Sequence, residues 1–417
     1  MSACINSVVI VGAGQSGLQA ASSLRDEGYD GAIYLIGSES GLPYQRPPLS
    51  KSYLDSDMAV DELHLEPARW FNETRVELVA GEHVESIDRQ GKRLTMTSGR
   101  SQAYDHLILA TGSRNRALPC MSQPVDGVLS LRSINDAAAL KSRLAGARHV
   151  VVIGAGFLGL EAAAVAIAQG CHVHVLEATE RVMQRAVSAS MSAAFQRHHE
   201  TLGVQFSFDT LVVDIHSRDG RVSEVELNDC SLLPADLVLV AIGVLPNSEL
   251  GATCGLEVRN GFVVDDLLLT ADRSISAIGD CAAFPYAFDD NEIIRLESVQ
   301  NAVDQARYVA QRMLGNVQRY DQIPIFWSEQ GGSRLQMVGV ARGADQSVVR
   351  GDPEAGAFSV FRYRNERLNC VESLNRPADH MAARRLLQRR LSPSLVQAAD
   401  VSFDLKSLLA TATEVRS

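Results

Sequence analysis

Two short glycine clusters contain the residues of this chain that are best suited to chemistry. Each cluster has the spacing G-x-G-x-x-G, formed by Gly12, Gly14 and Gly17 in the first copy and by Gly154, Gly156 and Gly159 in the second. Before a helix, such a turn binds the pyrophosphate of a dinucleotide. The first glycine permits the tight turn, the second lets the backbone approach the phosphates, and the third lets helix pack on strand. The two turns therefore predict two dinucleotide sites, each at the N-terminus of a helix.

Each glycine turn is followed by an acidic residue at the distance that a ribose contact requires. Glu177 lies eighteen residues beyond Gly159. A carboxylate there accepts hydrogen bonds from the adenine-ribose hydroxyls and repels a 2′-phosphate, which favours NADH over NADPH. Arg181, four residues further on, leaves NADPH open. In the first copy, Glu39 is predicted to bind the ribose of the other dinucleotide.

The elements that must position these residues are repeated. SVVIVGAG (7–14) and RHVVVIGAG (148–156) each read as a β-branched strand that runs into the glycine turn. An alanine-rich helical stretch follows each turn, and a second strand follows near 32–37 and 171–177. Strand, glycine turn, helix and strand form the dinucleotide-binding unit. Two such units disfavour the alternative of glycine turns without a ligand.

Two further strand ends indicate that the first dinucleotide is FAD. LILATGS (107–113) is an apolar strand ending in Ala110, Thr111 and Gly112, where small residues let the chain approach a cofactor. SISAIGDCA (274–282) ends in Gly279 and Asp280, and an aspartate at such a position can bind the ribityl hydroxyls of a flavin. Each signal alone is common, since ATG often ends a strand and GD often forms a turn.

The order of these pieces predicts an α/β architecture with two Rossmann-like, glutathione reductase-like domains and a C-terminal α+β domain. We expect a discontinuous FAD domain at 1–113 and 245–325, interrupted by an NAD domain at 114–244. Residues 326–417 are expected to form a third domain that mixes strands with a helix near 378–391.

Composition limits the other classes of function. The 417 residues have a net charge of −11, which disfavours nucleic-acid binding. No apolar run of about 18 residues is present, so no membrane span is expected. The N-terminus lacks the regions of a signal peptide, which predicts a cytoplasmic protein. From residue 326 onward, 13 Arg and Lys face 10 Asp and Glu, so the C-terminal part is locally basic.

The cysteines exclude some redox mechanisms. All seven are scattered, without a C-x-x-C, which disfavours a disulfide framework and a metal site. Disulfide exchange needs a thiolate and a resolving thiol. Because Cys4 is the only cysteine before residue 120, we expect electrons to leave the flavin directly.

Several motifs together resemble one family, the NADH-dependent, FAD-containing ferredoxin reductases of bacterial oxygenase systems. The motifs occur in the family's order over nearly the whole chain: PYQRPPLSKSYL (43–54), GAGFLGLEAAA (154–164), IGVLPN (242–247), AIGDCA (277–282), RLESVQNAVDQA (295–306), FWSEQ (326–330) and NRPADHMAARRLL (375–387). The family usually has an aromatic residue after FWSEQ, where this chain has Gly331 and Gly332. Partner choice is therefore expected to differ from that of well-known relatives.

The resemblance implies roles for particular residues. Arg46 and Lys51 would contact FAD, Val299 would lie beside the flavin, and Asp280 would hold the ribityl chain. Trp327 would pack near the ring. Glu161 would lie close to the nicotinamide, so that Lys51 and Glu161 are the catalytic candidates. A solvated loop lysine and a surface carboxylate remain the alternatives for these two.

The function that follows is transfer of hydride from NADH to FAD and of single electrons to a [2Fe–2S] ferredoxin. That ferredoxin would serve a cytochrome P-450 type monooxygenase or a Rieske dioxygenase, and we expect a monomer that docks its partner transiently by charge. The candidate docking residues are basic: Arg307, Arg312, Arg384, Arg385, Arg389 and Arg390. The alternatives are a rubredoxin reductase, an NADH oxidase-like flavoprotein, and a redox-sensing flavoprotein like apoptosis-inducing factor.

Overall fold

The computed structural model describes residues 5–56, 58–315 and 318–414, with the backbone alone for 411–414. The chain separates into two compact units. The first unit comprises residues up to 45, 59–114 and 244–322, and the second comprises 46–58, 115–243 and the residues from 323 onward.

Helices and strands alternate around the two glycine turns, and runs of consecutive strands make up much of the rest of the described chain. The α-helices are α1 Gln15–Asp26, α2 Ser52–Asp55, α3 Ala68–Glu73, α4 Ile134–Leu144, α5 Phe157–Ala168, α6 Ala189–Leu202, α7 Glu249–Thr253, α8 Val299–Met313, α9 Pro377–Gln388, α10 Leu395–Ala399 and α11 Ser407–Glu414, with 3-10 helices at Pro47–Ser50, Val60–Leu63 and Gly279–Cys281. The strands are β1 Ser7–Val11, β2 Ala32–Gly37, β3 Val76–Ala80, β4 Val84–Asp88, β5 Arg93–Met96, β6 Ser101–Ala103, β7 His106–Leu109, β8 Ser113–Asn115, β9 Val128–Ser130, β10 His149–Ile153, β11 His172–Leu176, β12 Gln205–Ser207, β13 Val212–Arg218, β14 Arg221–Leu227, β15 Leu232–Pro234, β16 Leu237–Val240, β17 Val244–Pro246, β18 Phe262–Val263, β19 Ile275–Ala277, β20 Ala282–Tyr286, β21 Glu292–Ile294, β22 Ile325–Gln330, β23 Ser333–Gly339, β24 Gln346–Asp352, β25 Ala357–Arg364 and β26 Arg367–Leu374.

The first unit is built on a parallel sheet with the order β19-β7-β1-β2-β3. Its central strand β1 reads SVVIV, and Val8, Val9 and Ile10 are fully buried. Such a continuous β-branched run is typical of a parallel strand covered on both faces. Helices α1 and α8 pack against each other in this unit. The carboxyl ends of β1, β7 and β19 therefore lie along one edge, where the predicted FAD residues follow them.

The second unit contains a sheet of the same kind, with the parallel order β12-β11-β10-β16-β9. Strand β10 reads HVVVI and is buried from Val150 to Ile153. Helix α5 follows it with the sequence FLGLEAAAVAIA, whose small residues let the helix approach the sheet closely. The two sheets confirm the predicted α/β class with two Rossmann-like domains.

The C-terminal part of the second unit is an antiparallel sheet with the order β22-β23-β26-β25-β24. Helix α9 packs on β23 and β26, close to the position predicted for it. Residues 46–58 group with this unit, although the predicted FAD domain included them. The three-domain boundaries stay a prediction. None of the described helices has the length and apolar character needed to cross a membrane.

Candidate functional sites

The first glycine turn has the shape that a pyrophosphate requires. Gly12 has φ +113°, and a Cβ there would lie 2.1 Å from the Ala110 carbonyl oxygen. A Cβ on Gly17 would lie 1.8 Å from the Gly12 oxygen, so the third glycine lets α1 pack against the turn. Nothing lies within 4 Å of a Cβ on Gly14. Gly14 is also the N-cap of α1 and places no side chain over the helix end. This space and the N–H groups behind it fit a phosphate.

The second turn repeats the same geometry in the second unit. Gly154 has φ +105°, with the Ala241 oxygen 2.5 Å from a Cβ built on it. On Gly159, a Cβ would lie 2.1 Å from the Gly154 oxygen, while Gly156 faces open space. Gly156 caps α5 without a side-chain hydrogen bond. Each unit therefore presents its own dinucleotide-binding turn.

Glu177 is fixed beside the second turn at the end of β11. Its Oε2 accepts a hydrogen bond from the Ala155 N–H at 2.8 Å. Its Oε1 accepts from the Thr179 N–H at 3.0 Å and from the Thr179 hydroxyl at 2.8 Å. Arg181 donates instead to the carbonyls of Gln184 and Val187. The Glu177 carboxylate is thus held in place beside the turn, and the Arg181 side chain stabilises its own loop.

The corresponding acid of the first unit is Glu39, which is exposed after β2. The Tyr44 hydroxyl donates to Glu39 Oε2 at 2.5 Å. Glu39 also helps to shape this edge of the sheet through its backbone, because its carbonyl accepts from the Gly81 N–H. The placement of Glu39 after the second strand of the unit agrees with a ribose contact.

The ends of β7 and β17 are tied together in the first unit. The Thr111 hydroxyl donates to the Asn247 carbonyl at 2.5 Å, and the Asn247 side chain donates to the Thr111 carbonyl at 3.0 Å. Ala110 is buried, and Gly112 has φ +67°. These contacts fix the small-residue turn that was predicted to approach the cofactor.

Asp280 lies at the end of the neighbouring strand β19. Ser113 donates to Asp280 Oδ2 at 2.8 Å. The preceding Gly279 has φ +74°, and its N–H donates to the buried Gln305 side chain at 2.7 Å. That hydrogen bond attaches the turn to α8, whose first residue is Val299. The structure therefore brings the turn that contains Asp280 against α8 in the first unit.

The candidate catalytic residues Lys51 and Glu161 meet in the second unit. Lys51 Nζ lies 2.8 Å from Glu161 Oε2, and the Ser50 hydroxyl donates to the same oxygen at 2.5 Å. Glu161 is only 6% exposed, so the alternative of a surface carboxylate is wrong. Lys51 is ion-paired and its side chain is 25% exposed, which disfavours a freely solvated lysine. Arg46, at the start of the same segment, donates to the Arg132 carbonyl at 2.6 Å.

Strand β22 supplies residues to this cluster that sequence reasoning missed. The Ser328 hydroxyl donates to Glu161 Oε1 at 2.5 Å. Behind Ser328 lie the buried side chains of Gln330 and His199. Alternation along β22 places Trp327 on the opposite face, and Trp327 is 36% exposed. The sequence signal for Ser328 and Gln330 was their two-residue spacing in FWSEQ. In a strand this spacing places both side chains on the face opposite to Trp327.

The described cysteines Cys120, Cys171, Cys230, Cys254, Cys281 and Cys370 are free thiols, and Cys4 lies outside the described residues. Burial raises the pKa of the Cys281 thiol, which follows the predicted flavin aspartate. A buried thiol of raised pKa is a poor nucleophile.

One group of charged residues lies on the neighbouring strands β13 and β14. His216 Nε2 lies 2.9 Å from Glu226, with Asp214 on its other side, and this is the one described group whose spacing could suit a metal.

Arg312 is wrong as a candidate docking residue. Its guanidinium donates to the Leu267 carbonyl and to Ser276, and burial lowers its pKa to about 10.

Comparison with known proteins decides the family. Residues 6–306 match the family described as pyridine nucleotide-disulphide oxidoreductase, and residues 325–409 match the reductase C-terminal family. The chain belongs to the pyridine nucleotide-disulphide oxidoreductases.

Individual members of this oxidoreductase family are similar over almost the whole chain. Rhodocoxin reductase of Rhodococcus erythropolis is 49% identical over 97% of this chain and 94% of its own. The crystal structure of the ferredoxin reductase for the CYP199A2 system from Rhodopseudomonas palustris has a TM-score of 0.94 at 46% identity, covering 96% of this chain and 99% of that chain. The covalent putidaredoxin reductase–putidaredoxin complex gives a TM-score of 0.95 at 36% identity, covering 98% and 99%. The family resemblance predicted from the motifs is confirmed.

Proposed function

We propose that this oxidoreductase is an FAD-dependent ferredoxin reductase that oxidises NADH. The observation that carries the proposal is the presence of two complete dinucleotide-binding turns in a chain whose relatives are named rhodocoxin, putidaredoxin and ferredoxin reductases. The cysteines are scattered in sequence without a C-x-x-C, which supports direct electron transfer without a dithiol. The partner is a [2Fe–2S] ferredoxin of a P-450 or Rieske oxygenase system.

The residues present fit both cofactors. In the first unit, the turn at Gly12, Gly14 and Gly17 would hold the FAD pyrophosphate, with Glu39 at its ribose and Asp280 at its ribityl chain. In the second unit, the turn at Gly154, Gly156 and Gly159 would hold the NADH pyrophosphate, with Glu177 at the adenine ribose. The family resemblance also assigns Arg46, Lys51, Val299 and Trp327 to FAD. The small residues Ala110, Thr111 and Gly112 would let FAD approach the sheet.

When bound, FAD would supply the conversion between two-electron transfer from NADH and one-electron transfer to two ferredoxins, with one proton released to solvent. The chain's own residues would bind and orient the two cofactors. Glu177 selects the coenzyme by its fixed charge. The Lys51–Glu161 pair places a cation and an anion at fixed positions, as expected of groups that orient the reacting ring.

The first test is anaerobic stopped-flow mixing of the purified protein with NADH or NADPH. Rapid flavin bleaching by NADH, followed by fast reoxidation with a [2Fe–2S] ferredoxin, is the expected result. Slow bleaching with a long-lived charge-transfer band, and no response to ferredoxin, would support the redox-sensing alternative instead. Faster reoxidation by rubredoxin, or by O₂ alone, would favour the other two alternatives.

The C-terminal part of the second unit offers a docking surface of the right charge. A groove of about 470 Å³ is lined by three basic residues. They are Arg385 of α9, Arg389 at the C-terminal end of α9, and Lys406. Both arginines are exposed. Ferredoxins are generally acidic, and this protein carries a net charge of −11, so docking requires such a local basic face.

Charge reversal tests this docking surface. The double variant R385E/R389E should slow ferredoxin reduction at least tenfold at low salt and leave NADH–ferricyanide activity unchanged, because the small oxidant does not dock. The matched control R93E/R218E reverses two exposed arginines elsewhere. An equal slowing in both variants, or a loss of ferricyanide activity in R385E/R389E, would refute this surface.

A further inference from the structure

We propose that Ser328, Gln330 and His199 are positioning residues: they form a buried, one-directional relay of hydrogen bonds that fixes the Glu161 carboxylate and, through it, the Lys51 ammonium group. This inference rests on the proposed function, in which Lys51 and Glu161 act in the reduction of FAD by NADH. The three relay residues lie within the second unit and are at most 1% exposed.

The direction of the relay follows from the carboxylate outward. Glu161 is ion-paired with Lys51 at 2.8 Å, so it is ionised and can only accept hydrogen bonds. Ser328 must therefore give its single proton to Glu161 Oε1. The Ser328 oxygen is then left as an acceptor, and Gln330 Nε2 donates to it at 3.1 Å.

The same logic fixes the Gln330 amide and the His199 ring. With Nε2 of Gln330 facing Ser328, its Oε1 faces His199 Nε2 at 2.9 Å. An amide oxygen can only accept, so His199 carries its proton on Nε2. The other ring nitrogen, Nδ1, is buried without a hydrogen-bond partner among the described residues. Burial lowers the pKa of His199 to about 4, so the ring is neutral at neutral pH.

The relay is anchored by the turn that follows β22. His198 Nε2 contacts the Gly331 carbonyl at 2.9 Å. Gly331 has φ +52°, and a Cβ there would lie 2.5 Å from Leu202 of α6. A side chain there would displace the Leu202 side chain and would lie 3.0 Å from His198 Nε2, which contacts the same turn. Gly331 thus places no side chain between the end of β22 and Leu202 of α6.

The consequence is a carboxylate with little freedom. Glu161 accepts from Ser328 on one oxygen and from Ser50 and Lys51 on the other, and all three donors come from segments distant in sequence. Charge-assisted hydrogen bonds of this kind are short and directional. Removing the Ser328 donor leaves one oxygen of a buried carboxylate unpaired, so the side chain should turn and release Lys51.

The test compares Ser328→Ala with Ser359→Ala. Ser359 is a matched control, since it is fully buried and donates to the buried Asp379 carboxylate at 3.1 Å, away from Glu161. In the holoenzyme, S328A should lower the limiting rate of flavin bleaching by NADH about tenfold, with the dissociation constant for NADH unchanged. S359A should lower only the melting temperature.

A second readout needs no turnover. Acetylation of Lys51 by acetic anhydride, measured by peptide mass spectrometry against the exposed Lys92, should be about fivefold faster in S328A and unchanged in S359A. Ser328→Thr keeps the hydroxyl and should restore the wild-type rate. Unchanged bleaching and unchanged Lys51 acetylation in S328A would overturn the relay. Failure of the wild-type protein to bleach with NADH would instead refute the proposed function, while the acetylation result would still decide the relay.

Gln330→Met provides an independent variant if S328A does not fold. It removes the donor to Ser328 and the acceptor for His199 but leaves the Ser328 hydroxyl. Q330M should raise the Lys51 acetylation rate about twofold and slow bleaching about threefold. If Q330M kept the wild-type rates of both Lys51 acetylation and flavin bleaching, the proposed relay would be overturned.

Discussion

Replacing Glu177 by Gln should change the coenzyme preference of this protein. The change removes one negative charge while keeping the size of the side chain. In the folded protein both carboxylate oxygens already accept backbone N–H groups, from Ala155 and Thr179. The charge is therefore fixed before the coenzyme binds, and a 2′-phosphate would be repelled by a group that cannot swing away.

The size of the effect can be estimated from Coulomb's law. Two unit charges about 4 Å apart interact by about 4 kcal/mol at an effective dielectric constant of about 20. Glu177 is only half-buried, so screening by water and salt reduces this to roughly 2 kcal/mol, or about thirtyfold in affinity. A glutamine must also leave one of the two N–H groups without an acceptor, which should weaken the binding of NADH and NADPH alike and so cancels in their ratio. The ratio of kcat/KM for NADH over NADPH should thus fall by about thirtyfold.

The assay is steady-state reduction of ferricyanide with each coenzyme, at low and at physiological salt. Glu180→Gln is the matched control, because Glu180 is an exposed acid three residues further along. An unchanged NADH-to-NADPH ratio in E177Q, or an equal change in E180Q, would refute the reasoning. The first result would show that the Glu177 charge does not reach the 2′ position, and the second that only net charge matters.

Three further predictions concern Arg181, the first glycine turn and His106. Arg181→Gln should leave the coenzyme ratio unchanged and lower the melting temperature by a few degrees, since its guanidinium binds loop carbonyls; a shift in NADPH KM would contradict this. Gly14→Ala should fold but bind FAD at least tenfold more weakly, whereas Gly12→Ala should lose the fold, because its Cβ would lie 2.1 Å from a carbonyl oxygen; flavin content and circular dichroism separate the two. Burial and the nearby Arg312 guanidinium lower the pKa of His106 to about 3. Because the unfolded chain takes up this proton below about pH 6.5, stability should fall by up to about 1.4 kcal/mol per pH unit on acidification, and His106→Gln should flatten that slope in urea unfolding.

What the sequence could predict was set by local backbone geometry. Gly12 and Gly154 need positive φ and close approach to a strand, so their spacing alone identified both turns. The acids after the second strands were predicted for the same reason, because a strand end fixes where the next side chain lies. The grouping of residues 46–58 with the second unit was not predicted, since no local signal records which sheet a loop packs against.

Glu161 shows where a stronger prediction was available. It is the one charged residue in the α5 sequence FLGLEAAAVAIA, which is otherwise apolar. A helix that is apolar all round is buried, and a buried charge needs an opposite charge and hydrogen-bond donors nearby. The sequence thus indicated a paired carboxylate, but it could not indicate that Lys51 and Ser328 would be its partners, 110 residues before and 167 residues after it. A single charge at the start of a core helix is therefore evidence for a polar cluster whose members only the tertiary structure can identify.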